Sequence, residues 1–202
     1  CALPILVLMS LYVADQNYKT LIDSKKLEKL TLLTPYISET IHELQKERGI
    51  SAVYLGGKGG SAAFSKLNNQ KKETDVKYNE FYTAINKFPK GDYGNKFLLA
   101  IEGSEEQLAK LGSIRLLVKN NKIPASEMAK YYTKTIAMLL EMIGQMAGLS
   151  DNSDVTNYIA KYVVLLQAKE YAGQERAMGG IGFGQGVFSD TIFNKFIGLV
   201  NK

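Results

Sequence analysis

Two arginines stand in line with apolar residues. Along Ile37, Ile41, Leu44, Arg48, Ala52 and Leu55 the steps are four, three, four, four and three residues, and every member except Arg48 is apolar. That spacing puts all six on one stripe of a helix, so Arg48 is expected on a buried face. A second guanidinium, Arg176, follows Tyr162, Leu165 and Leu166, Lys169, Ala172 and Gly173 at similar spacing and is expected on a buried face too. Small residues surround both, Gly49, Ser51 and Ala52 at one and Ala172, Gly173, Ala177 and Gly179 at the other. Small side chains let helices approach closely or leave space for a ligand.

A buried guanidinium left unpaired costs several kcal/mol. One solution is an acidic neighbour, Glu170 or Glu43. The other is that the two arginines converge on an anion. The planar fork of an arginine matches a planar oxyanion through two parallel charge-assisted hydrogen bonds. Two arginines facing one empty cavity repel each other, so a bound monoanion would relieve the repulsion and draw the helices together. The two segments also echo one another: Glu47 to Val53 aligns without gaps on Glu175 to Ile181, and each reaches an aromatic-glycine end, at Tyr54 to Gly57 and at Phe183-Gly184.

The elements that must carry these residues are helices. Apolar residues recur at helical spacing from end to end, and no segment has a strand pattern. The class is all-α, antiparallel helices joined by short turns. A first helix is expected from the apolar start to Leu55, with a kink or restart at Thr34-Pro35, and the glycines at 56, 57, 59 and 60 stop it. A second is expected over 61–88. Ser104-Glu105-Glu106-Gln107 has the form of a capping box and is expected to open the next. Another starts near Pro124, one runs from the polar break at 150–154 to about Met178, and Ser189 caps a short last helix.

Composition excludes several functions. One cysteine, Cys1, and one histidine, His42, leave no disulfide framework, no zinc ligand set and no thiol–imidazole pair, so no metal and no cofactor are expected. No nucleophile motif is present, and the GGKGG at 56–60 lacks the Lys-Ser/Thr ending and preceding strand of a phosphate loop. A binding module rather than an enzyme follows. The net charge of +5 is modest and dispersed, tryptophan is absent, and the tyrosines fall at core spacing, which argues against a nucleic-acid partner.

The amino end is apolar. Residues 1–14 carry no charge before Asp15. That is short of the roughly 20 residues of a full span, so it reads as the outer end of a transmembrane helix, as a buried first helix, or as a lipoprotein start at Cys1. A membrane-anchored segment over 1–14 and an all-helical sensory domain over 15–202 is the expected organisation.

His42-Glu43-Leu44-Gln45-Lys46-Glu47-Arg48-Gly49-Ile50-Ser51-Ala52 with Tyr54-Leu55-Gly56, and Ala168-Lys169-Glu170-Tyr171-Ala172-Gly173-Gln174-Glu175-Arg176-Ala177 with Phe183 and Gly186, resemble the two signature blocks of the nitrate- and nitrite-sensing domain of bacterial chemoreceptors, sensor kinases and antitermination regulators. Outside the blocks the likeness is helix pattern and the Gln70 to Asp75 region, over roughly 20–200. The resemblance implies a pair of stacked four-helix bundles sharing long helices, with the arginine of each block, Arg48 and Arg176, contacting a nitrate or nitrite ion between helices. Ser51, Gly49 and Lys169 are expected to flank it. Val53 stands where the family commonly has glycine, Lys71 where arginine is frequent, and the family's last helices are expected to be missing. Joined to the apolar amino end, the resemblance implies the extracytoplasmic sensor of a bacterial inner-membrane chemoreceptor, a homodimer signalling in chemotaxis by helix rearrangement. The competing expectation is a helical-bundle receptor or lipoprotein with another ligand or an assembly role, its arginines structural.

Overall fold

The computed structural model describes residues 3–57, 59–149 and 153–201, and among these every regular element is a helix. The order is α1 (Leu3–Gly56), α2 (Ser61–Lys87), a 3-10 turn (Lys90–Tyr93), α3 (Gly94–Ala109), α4 (Leu111–Lys119), α5 (Ala125–Ala147), α6 (Ser153–Gln185) and α7 (Asp190–Val200). Short turns join the helices, and Lys110 alone separates α3 from α4. The first of these turns needs glycine at one point: Gly59 has φ +86°, and a Cβ there would also lie 2.9 Å from the Asn121 amide.

The helices form two four-helix bundles that share α1 and α5, as the family resemblance implies. α1, α2, the α3–α4 pair and α5 enclose the first. Its core holds Leu67, Phe81, Ile85, Phe97, Ile101, Tyr132 and Ile136, all with essentially no exposure. α1, α5, α6 and the short α7 make the second. α6 lies parallel to α1 at one constant register: Gln45 meets Gly173 and Gly56 meets Gly184, the same spacing that separates Arg48 from Arg176. The echo between the two segments therefore marks a physical pair of helices. At their far end the backbones nearly touch, since a Cβ on Gly184 would sit 3.1 Å from Gly56 and one on Gly56 would sit 3.1 Å from the Ile181 carbonyl. Gly179, Gly180, Gly182 and Gly184 do not end α6 but lie inside it, packed against α1 or under Phe188 and Phe196, and Gly186 follows its end.

Two further boundaries differ from expectation. α1 continues through Pro35 without a restart, and Leu30, Leu33, Ile37 and Ile41 share one buried phase on both sides of it. Ser104 is not a cap: it lies mid-helix in α3, buried, and its hydroxyl donates to the Ala100 carbonyl at 2.8 Å. The break falls instead at Lys110. Ser189 does cap α7, accepting from the Ile192 amide at 3.4 Å.

The apolar amino end is corrected. Residues 4–25 of α1 are exposed throughout, so they are not a buried first helix. Asp15 and Lys19 follow the apolar residues and pair with each other. No described helix is long and apolar enough to cross a membrane. Cys1 lies outside the described residues.

Candidate functional site

Arg48 is buried as its stripe requires, with no exposed surface, and it reaches from α1 into the second bundle. Its guanidinium grips Glu170 of α6 by both terminal nitrogens, Nη1 to Oε1 at 2.5 Å and Nη2 to Oε2 at 3.1 Å, and Nη1 also donates to the Thr133 hydroxyl of α5 at 2.9 Å. Glu170 is almost fully buried and accepts two further bonds, from the amide nitrogens of Gln45 and Gln174, each at 2.9 Å. Glu43, the other acid weighed as a partner, pairs instead with Lys46 and Gln70.

Three buried polar atoms near this pair have no partner among the described residues: Arg48 Nε, Ser51 Oγ and Gln45 Oε1. Buried donors and acceptors are paired almost everywhere in folded proteins. Three lapses within two turns of one helix mark a place built for something polar. Gly173 is what lets the guanidinium fit. A Cβ there would lie 2.8 Å from Arg48 Nη2.

Arg176 is placed differently from expectation. α6 buries Leu166, Glu170, Gly173, Ala177 and Ile181, a phase one residue off the stripe read from the sequence. Arg176 and Lys169 are therefore exposed, along with Leu165 and Ala172. The doublets Leu165-Leu166 and Ala172-Gly173 make the two phases hard to tell apart without the neighbouring helices. Arg176 lines a groove of about 520 Å³ between α1, α2 and α6, with His42, Lys46, Gly49, Lys66 and Gly173. Arg48 opens on the opposite side, into a cavity of about 610 Å³ between α5, α6 and α7 that also holds Lys130, Lys134 and Lys195. The two arginines thus flank one seam, and Gly173, which lines Arg176's groove, is the wall in front of Arg48. Among the described residues Arg176 makes no ion pair.

The groove is electropositive. The His42 imidazole is held below its ordinary pKa, first by partial burial and then by the charge of Lys169, with Lys46 and Arg176 adding to it. A pKa lowered in the folded state means that the neutral ring's contribution to stability is present above about pH 6.5 and is lost as pH falls through the folded value. An anion in the groove would offset those cations and raise the His42 pKa. Anion binding is therefore expected to take up protons below the ordinary imidazole range of about pH 6.5, and His42→Asn is expected to remove that uptake. Titration calorimetry in buffers of different ionisation enthalpy measures it directly.

The residue before Arg48 faces the other bundle. Glu47 is fully buried and takes a bidentate bond from Arg115 of α4, at 2.7 and 2.8 Å, and one from the Tyr132 hydroxyl at 2.8 Å. Arg115 also pairs with Asp75 of α2. Burial works against the Arg115 charge, but the bonds and charges of Glu47 and Asp75 hold its pKa above the ordinary value. Adjacent, oppositely charged residues of α1 thus tie it to both bundles. Sequence reasoning names Glu170 as a possible partner of Arg48; it finds neither Thr133, Gln45 and Gln174 nor the Glu47 cluster, which depend on the placement of α4 and α5.

Comparison with known proteins adds identity to this geometry. A family profile described as nitrate and nitrite sensing matches residues 39–202. The chain is 29% identical over 170 residues to the nitrate regulatory protein of Klebsiella oxytoca, covering 84% of this chain and 42% of that protein. It also superposes on the solved structure of the NasR transcription antiterminator with a TM-score of 0.82 at 25% identity, covering 94% of this chain and 52% of that one. The chain thus spans about half the length of the relatives it matches. Those relatives are a nitrate regulator and a transcription antiterminator, not chemoreceptors. The expectation of an extracytoplasmic sensor anchored in the bacterial inner membrane and acting in chemotaxis is overturned by them, together with the lack of a described helix able to cross a membrane. The expected absence of any nucleic-acid partner is corrected as well, since antitermination is a step of transcription. The dispersed charge of this segment speaks only for its own surface.

Proposed function

This chain belongs to the nitrate and nitrite sensing family, and from that premise we propose that it is the sensory part of a transcriptional regulator, binding nitrate or nitrite at the α1–α6 seam and passing the event on by moving those helices. It is a binding module and carries out no catalysis. Arg48 and Arg176 hold the ion, with Ser51 and Gly49 beside Arg48 on α1 and Lys169 on the solvent side.

The observation that carries this reading is the state of Arg48. Its fork is spent on a carboxylate, a planar oxyanion, while its Nε and the Ser51 hydroxyl next to it remain buried and unpaired. A binding site for a small planar anion needs those groups: donors in a fixed plane, little water, and a second cation within reach. Arg176 supplies the cation from a groove separated from Arg48 by one glycine. α1 and α6 are continuous helices of 54 and 33 residues, and α1 belongs to both bundles. A shift of either at the seam is transmitted to its far end.

Thermal unfolding with sodium nitrate, nitrite and chloride at matched ionic strength tests this. A ligand at a hundredfold excess over its Kd adds about 2.7 kcal/mol, or about 5–10 °C in Tm for a domain of this size. Nitrate or nitrite should give that rise and chloride should not. Arg176→Ala, an exposed position, should leave the ion-free Tm unchanged and abolish the rise. A full nitrate response in Arg176→Ala contradicts the proposal.

A further inference from the structure

The charges at the seam count to a definite sum. Arg48 and Arg176 bring two positive charges to one place, and a nitrate or nitrite ion brings one negative charge. Of the two arginines only Arg48 is buried, and its charge already has a counter-ion inside the protein: the Glu170 carboxylate, nearly without exposure and held in Arg48's fork at 2.5 and 3.1 Å. The other cations of the groove lie on its solvent side, where water screens them. Lys46 is paired with Glu43, and Lys66 and Lys169 are exposed.

We propose that Glu170 is the specificity-determining residue of the anion site, an internal carboxylate that fixes the net charge of the seam so that one monovalent oxyanion balances it and a divalent one does not. The inference rests on the reading that an oxyanion binds at Arg48 and Arg176. Glu170 occupies the seat that an external oxyanion would take on Arg48, having the same planar pair of oxygens, and it competes with the ligand for the fork. It is not free to swing into water, because Gln45 and Gln174 both donate to it and the second bundle encloses it. Its cost to the ligand is therefore permanent, which lowers affinity and sets the charge rule at once. A dianion such as sulfate, admitted beside Glu170, would set two negative charges against a buried carboxylate whose own counter-ion, Arg48, is already taken, which is disfavoured. The unpaired Arg48 Nε is the donor left over for the external ion once the carboxylate holds the two terminal nitrogens. Gln45 and Gln174, by fixing the carboxylate, act as positioning residues for the same rule.

Glu170→Gln keeps the shape, the volume and one oxygen for the fork while removing the charge. Titration calorimetry of the wild-type chain and E170Q with nitrate, nitrite and sulfate reads the result. The wild type is expected to bind nitrate or nitrite and to give no heat with sulfate. E170Q is expected to bind the same monoanion at least tenfold more tightly and to bind sulfate. Both changes together support the assignment. Either one alone, or neither, overturns it, and the oxyanion reading then still stands as long as the wild type binds. A wild-type chain that binds neither nitrate nor nitrite fails that reading and takes the assignment with it. Should E170Q not fold, E170A refolded with formate present keeps the test open. Exchanging formate for sulfate must hold E170A folded if the fork accepts an external dianion, and unfolding on that exchange overturns the proposal.

Discussion

Arg48→Ala is expected to destabilise the protein by about 3–5 kcal/mol, the usual result of removing one member of a buried ion pair. The loss does not measure what the pair contributes. It measures Glu170 left behind with its charge, nearly without exposure and with only the two glutamine amides to answer it. Its carboxylate would draw water into the second bundle. A control separates this from the loss of the ligand site. Replacing the pair with Arg48→Met and Glu170→Leu removes both charges and keeps the volume, and such exchanges are commonly neutral or stabilising. Here recovery is expected to be partial, because Gln45, Gln174 and Thr133 lose their partners. Urea unfolding monitored by circular dichroism orders the three proteins: wild type and double variant close together, Arg48→Ala far below. A single variant as stable as the wild type contradicts the account of the pair.

Arg115→Ala is expected to cost a similar 3–5 kcal/mol, for the same reason on the other side of α1. Glu47 has no exposed surface and would keep only the Tyr132 hydroxyl. Lys71 stands close enough for Glu47 to act on its charge, yet it does not bond the carboxylate. The effect should reach beyond stability. Arg115 joins α4, through Glu47, to the shared helix and, through Asp75, to α2, so its loss frees α1 from the first bundle at the level of Arg48. Hydrogen exchange is expected to speed up along α1 near residues 44–52 and in α4, while α7, packed only on the second bundle, stays protected. Unchanged exchange in α1 would show that the cluster is not what holds the helix there. Arg115→Lys should recover only part of the loss, since an ammonium cannot replace the bidentate fork.

Much of this was legible in the sequence because one helix, α1, carries an unambiguous stripe. Ile37, Ile41, Leu44 and Ala52 are apolar at strict spacing, and Arg48 is buried because it sits among them. α6 has no such clarity. Its doublets of apolar or small residues fit two phases, and its glycines look like a stop. Only packing against α1 decides that Gly173 and Ala177 face inward, that Arg176 faces the groove, and that Gly180 and Gly184 are there for a close helix crossing. The echo between the two segments was visible but had no meaning until α1 and α6 were seen side by side in register. The capping box at Ser104 failed for a similar reason: the local pattern was right, but Phe97 and Ile101 anchor α3 in the first core well before it. The apolar amino end showed the limit of composition. Residues 4–14 are rich in apolar side chains, yet no described helix is long and apolar enough to cross a membrane.

The central claim is that the α1–α6 seam binds one small monovalent oxyanion per chain. Isothermal titration of the wild-type chain and of the folded Arg48→Met, Glu170→Leu double variant with nitrate and nitrite tests it most directly. The account predicts a single saturable site in the wild type for at least one of the two ions, a stoichiometry of one, and no heat of binding in the double variant. Equal binding by both proteins, or none by the wild type, would contradict it.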